Sequence, residues 1–230
     1  MKYPIDIIFC IDTSIDMENA VSSFKKRASQ FYPDIKEALS AASKEVSQIR
    51  IKLILFGPNG SQTYLKESDW FYISNSKGLD NEYFSAALNH IKCKDYFEKC
   101  NGLEALALAI KSDWVQVNGK CRQIIAMFTN HSAEKLEEMP PKRMICHEGS
   151  PTSLEELTDL WMTPYNPQLA NNMISLKQLA KRLVLFSPEA YPWQEIYESW
   201  DQVVYNPSKA GTEFDDVSYE DIINAIVGSV

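Results

Sequence analysis

Three oxygen-bearing side chains stand at alternate positions in Asp12-Thr13-Ser14-Ile15-Asp16. They follow directly on the largely apolar run 5–11, and a stretch with helical spacing begins just behind them. Oxygens at i, i+2 and i+4 of one loop can converge on a single hard ion. Mg²⁺ asks for octahedral oxygen geometry at about 2.1 Å and keeps several waters, while Ca²⁺ accepts more ligands and looser geometry. The same oxygens can instead accept from the free N–H groups of the helix start, where the dipole favours negative charge. A second polar cluster closes another apolar run: 123–129 stops at Asn130-His131-Ser132. Asn130 offers a neutral oxygen, a poorer cation ligand than a carboxylate. Thr129 and Ser132 could donate hydrogen bonds behind such ligands. His131 is expected on the rim, touching a partner or solvated in its loop. Glu104, in Asn101-Gly102-Leu103-Glu104, is the nearest hard oxygen from the middle of the chain.

For these residues to meet, two buried strands must end side by side. Continuous apolar runs at 5–11, 51–56, 123–129 and 183–186 read as strands covered on both faces. Residues 70–73 read as a short aromatic strand, antiparallel because the connection before it is too short for a helical crossover. Helical spacing fills 20–49, with Pro33 kinking it or marking a second segment. It returns at 81–91, 103–115, 153–161, 175–181, 192–200 and 218–227. Ser153-Leu154-Glu155-Glu156 fits a capping box. A last strand is expected at 202–205. Strands alternating with helices predict a single three-layer α/β domain over 1–230, doubly wound, with a mostly parallel sheet and helices on both faces. Residues 132–171 read as an irregular, Pro-bearing insertion. Ligands of such sheets sit at the carboxyl ends of the strands, where strand order reverses. Asp12 and Asn130 share that edge if their strands adjoin.

Composition narrows the classes. With 23 Lys and Arg against 31 Asp and Glu, the formal charge is -8, and no excess of cations is available to neutralise nucleic-acid phosphates. No apolar stretch reaches the roughly 18 residues of a membrane span, and no signal peptide is expected. The five cysteines show no CxxC. Cys93, Cys100 and His90 match no zinc spacing, so free thiols in a reducing cytoplasm are the default. There is no P-loop, no G-x-G-x-x-G and no G-x-S-x-G elbow for Ser14. Trp161 and Tyr165 sit beside the insertion and are candidate partner-binding residues.

The strand entering Asp12-Thr13-Ser14-Ile15-Asp16, the strand Ile124-Ile125-Ala126-Met127-Phe128-Thr129 ending at Asn130, and the element order across the chain resemble the von Willebrand factor A domain family. A bacterial intracellular branch is the nearer likeness, through 101–106 and 112–114. The family's metal-ion-dependent adhesion site uses D-x-S-x-S after the first strand, a Thr before a middle helix and an Asp after the fourth strand. Asp12 and Ser14 match. Asp16 stands at the second Ser, Asn130 at the Asp, and the middle loop offers no Thr. The resemblance implies a Rossmann-like fold and a Mg²⁺, Mn²⁺ or Ca²⁺ ion held by Asp12, Ser14 and Asp16, with Asn130 and Glu104 completing the set. It also implies non-enzymatic binding of a protein partner through an acidic side chain, as an adaptor in a bacterial cytoplasm. Two alternatives stand: an ion-free scaffold binding through 132–171, and a metal-dependent hydrolase using Asp12.

Overall fold

The structure is a computed structural model, and it describes residues 2–58, 65–73, 79–94, 96–138, 150–163, 176–208 and 218–230. The chain begins with β1 (Tyr3–Asp12), a 3-10 turn (Ile15–Met17), α1 (Glu18–Arg27), α2 (Phe31–Ala41) and β2 (Val46–Phe56). Next come β3 (Leu65–Glu67), β4 (Phe71–Ile73), α3 (Leu79–His90), β5 (Lys99–Cys100), α4 (Gly102–Ile110) and β6 (Arg122–Phe128). It closes with β7 (Ser132–Ala133), α5 (Leu154–Met162), β8 (Lys181–Pro188), α6 (Trp193–Ser199), β9 (Val203–Ser208) and α7 (Tyr219–Ser229).

The main sheet runs β3-β2-β1-β6-β8-β9, with β4 also on β2. β2, β1, β6, β8 and β9 are mutually parallel, and the short β3 and β4 run antiparallel to β2. The period-2 alternation of β1 divides the interior. Ile5, Ile7, Phe9 and Ile11 face α1, α2, α3 and α7, whereas Ile8 and Cys10 face α4, α5 and α6. This is the doubly wound, three-layer α/β fold expected from the alternation of strands and helices.

Aromatic packing anchors the first layer. Phe9, Phe24 and Phe31 meet edge to face with centroids 5.3, 5.5 and 5.7 Å apart, contacts worth about 0.5–1.5 kcal/mol each beyond burial. The helical spacing of 20–49 resolves into two helices broken at 28–30, and Pro33 sits in the first turn of α2, where its missing N–H is not needed.

Some expectations change. Residues 46–49 belong to β2 and not to a helix, because Val46 and Ile49 pair with Tyr3 and Ile5 of β1. Residues 178–180 form a turn and Lys181 opens β8, so 176–181 is not helical. The part of 132–171 that is described is ordered: it carries β7 and α5. Ser153 caps α5 by accepting from Glu156 N–H, but the Glu156 carboxylate reaches back to Thr152 and not to Ser153. Among the described residues, no helix is long and apolar enough to cross a membrane.

Candidate functional site

β1 and β6 lie side by side and end together, with Ile11 opposite Phe128. From β1 the chain crosses to β2 on one flank, while β6 occupies the other. The gap between their carboxyl ends is therefore the switch point of the sheet.

Asp12 is wholly buried there. Its Oδ1 accepts the Ser14 N–H at 2.8 Å. Its Oδ2 accepts the Thr129 hydroxyl at 2.7 Å and faces His131 Nδ1 at 3.0 Å. The other ring nitrogen, Nε2, lies 3.3 Å from Asp16 Oδ2. The imidazole thus spans two carboxylates. A neutral ring has one donor and one lone pair, so only the imidazolium can offer a proton to both. Burial pulls the His131 pKa down, but the Asp12 hydrogen bond and the charges of Asp12 and Asp16 outweigh it and hold the pKa above its usual value.

Distant elements fix this ring. Trp193 of α6 donates Nε1–H to the His131 carbonyl at 2.8 Å, the His131 N–H donates to Thr129 Oγ1 at 3.1 Å, and the Phe97 ring lies tilted with its centroid 5.7 Å from that of His131. Trp193 can occupy its place because residue 102 is glycine: a Cβ there would come within 2.6 Å of the indole.

Around this bridge, Asn130 donates Nδ2–H to the Asp16 carbonyl at 3.2 Å. Ser14 Oγ, Asn130 Oδ1 and both polar side-chain atoms of Asn101 are buried without a hydrogen-bond partner. Ser14 precedes the 3-10 turn but its side chain makes no capping bond.

The structure therefore gathers Asp12, Ser14, Asp16, Asn130 and His131 at one edge. His131 is not on a rim: it is 6% exposed and forms the centre of the cluster. Glu104 is buried in the first turn of α4 and takes no part in the contacts just described. Trp161 presents no partner surface. It is 1% exposed, stacked on Trp200 at 5.1 Å and hydrogen-bonded to Asp201, because α5 turns its apolar face inward. Tyr165 lies outside the described residues. Ser132 donates weakly to the Glu98 carbonyl, away from the cluster. Sequence reasoning passed over Asn101, Gly102 and Trp193. The Asn-Gly pair before a helix was the available signal for the first two, and nothing local marks the third.

As it stands, the donor set does not suit a divalent ion. Both Asp12 oxygens are engaged, and the His131 ring has no lone pair directed away from the carboxylates. The oxygens without partners, on Ser14 and Asn130, are neutral. Among the described residues, no group of three or more His, Cys, Asp or Glu is placed to hold a metal. Cys100 Sγ lies 3.5 Å from Thr129 Oγ1, and burial pushes its thiol pKa well up, so it stays protonated.

No family model matches this chain, and no curated protein matches it. Solved structures that it is similar to include proximal thread matrix protein 1 (PTMP1) from the mussel byssus, with TM-score 0.48 and 11% identity over 98% of this chain. They also include the pilus adhesin SpaC from Lactobacillus rhamnosus GG in an open conformation, with TM-score 0.41 and 16% identity over 57% of this chain. A third is the vWF domain of the type V pili tip protein Mfa5 from Porphyromonas gingivalis, with TM-score 0.39 and 13% identity over 65%. The matched regions span 45%, 15% and 46% of those chains, respectively.

Proposed function

We propose that this chain is a protein-binding domain of the von Willebrand factor A type, acting at the carboxyl edge of its sheet and not as an enzyme. One observation carries the reading: two carboxylates and a histidine are held together at the switch point, where apolar packing would be the cheaper way to close the edge. Ionisable groups concentrated in this way mark functional edges of doubly wound sheets. Ile15, between Ser14 and Asp16, is 46% exposed and forms the apolar crown of the same loop. A hydrolase would need Asp12 presented to substrate, and Asp12 is buried with both oxygens accepting from the protein. Docking through Trp161 loses its anchor, because that indole packs inside.

A photo-crosslinking residue placed at Ile15, compared with one at Leu179, which is 84% exposed on the opposite edge, tests the reading in cells. Discrete protein adducts are expected from position 15 and should fall in an Asp16→Ala background. Adducts only from position 179, or adducts at 15 that ignore Asp16, would move the binding surface elsewhere.

A further inference from the structure

We infer that the His131 side chain takes the place of a divalent ion at this edge, so that the protein engages its partner without a metal. The inference deepens the binding reading above and rests on it for the word partner. It stands on four observations.

The ring lies between the two carboxylates, 3.0 Å from Asp12 and 3.3 Å from Asp16, where a shared cation would lie. Its two nitrogens point at different residues, so it cannot serve as a metal ligand while it holds them. Its position is built and not incidental: Thr129 from the end of β6, Trp193 from α6 and Phe97 from the segment before β5 all fix it. Finally, the charge balance suits a single positive charge. Asp12 and Asp16 bring two negative charges, while Asn130, beside them, is neutral and turns its NH₂ to the Asp16 carbonyl. A single ring set between the two carboxylates leaves Asp16, whose side chain is 21% exposed, as the more accessible of the pair, against the wholly buried Asp12.

The consequence is specific. Removing the ring should uncover a site for a hard cation. Asp12 Oδ2 and Asp16 Oδ2 lose their shared partner, and Ser14 Oγ and Asn130 Oδ1 are already without one. Those are four oxygens on two loops, a donor set suited to Mg²⁺ or Mn²⁺ with waters completing the shell.

The test is titration of the metal-stripped chain with Mg²⁺ and Mn²⁺, read by calorimetry and by the Mn²⁺ paramagnetic signal. The wild type should show no saturable binding into the millimolar range. His131→Ser should gain saturable Mn²⁺ binding tighter by about tenfold or more, one decade in Kd, and lose it again in His131→Ser with Asp16→Asn. Saturable binding by the wild type that Asp16→Asn removes would overturn the inference, and so would a folded His131→Ser protein that gains none. The wild-type titration decides even if the variant fails to fold. Repeating the Ile15 crosslinking with a chelator separates the two proposals. Adducts that survive chelation support this inference, and adducts lost on chelation refute it while keeping the binding edge. If no adducts form at all, the binding edge falls, and the titration still settles whether His131 excludes the ion.

Discussion

Two aspartates on β1, both wholly buried and both on the face toward α4, meet opposite kinds of partner. Asp6 sits along the length of the sheet, directly across from Arg50 of β2. The guanidinium grips it through Nε at 2.8 Å and Nη2 at 2.6 Å, and Val115 N–H adds a third donor at 2.6 Å. Arg50 also lies over the Trp70 ring at 4.5 Å. Asp12 sits at the strand's end and takes neutral donors from Ser14 and Thr129, with a histidine as its only charged partner among the described residues. Both pKa values at Asp6–Arg50 are raised, which favours opposite charge states: burial raises Asp6 toward its neutral form against the pull of Arg50, while Asp6 overcomes burial to hold Arg50 above its usual value and charged. Three short donor contacts on one carboxylate, two of them from a guanidinium that does not deprotonate at any working pH, identify the pair as ionised. Equal burial on one strand thus yields a fixed lock inside the sheet and an adjustable bridge at its edge.

The largest effect should come from breaking the lock. Arg50→Met takes the guanidinium from a buried carboxylate and leaves it the Val115 N–H, and loss of one partner of a buried pair costs about 3–5 kcal/mol. Urea unfolding should show that loss with the native fold otherwise retained. A loss under about 1 kcal/mol, the range of an exposed pair, would erase the distinction between the two aspartates.

A smaller, overpacking effect should fall on the bridge alone. In Gly102→Ala the new methyl meets the buried Trp193 indole at 2.6 Å. Overpacking of this kind costs about 1–3 kcal/mol. Because Trp193 holds the His131 carbonyl, the His131 ring resonances should move in an NMR comparison while those of Arg50 stay in place. Unmoved His131 resonances would mean that Trp193 does not position the ring.

What the sequence disclosed follows from how local each signal is. Buried strands were legible because an unbroken apolar run has few other uses, and Asp12 and Asn130 could be placed at one edge from topology alone. The start of β2 was not legible: residues 46–49 continue a helical spacing, and only pairing with Tyr3 and Ile5 makes them strand. The pairing of Asp6 with Arg50 depends on register between parallel strands, which no local pattern states. His131 read as a rim residue because its burial is imposed by Phe97 and Trp193, 34 and 62 positions away in the chain. Trp161 read as a surface anchor because it sits beside the irregular 132–171 insertion, while its stacking partner Trp200 is remote in sequence.

The smallest effect, and the sharpest for the comparison, is in pH. His131 has a raised pKa in the fold, so within the window between the two values the folded state binds more protons than the unfolded one. Stability from this group is therefore complete below about 6.5, the value of an unfolded-chain histidine, and is lost as pH rises through the folded value. The groups facing the ring are Asp12 of β1, Asp16 of the turn after it, Thr129 after β6, Phe97 before β5 and Trp193 of α6. Of these, Asp12 and Asp16 are the carboxylates, one at each ring nitrogen. Urea midpoints measured from mildly acid to mildly alkaline pH should fall with rising pH in the wild type and lose that component in His131→Asn. Arg50 keeps its charge across the same range, so Arg50→Met should lower the whole curve without removing the slope. Identical slopes in wild type and His131→Asn would show that the ring is not a charged bridge, and the contrast between lock and bridge would reduce to one of position in the sheet.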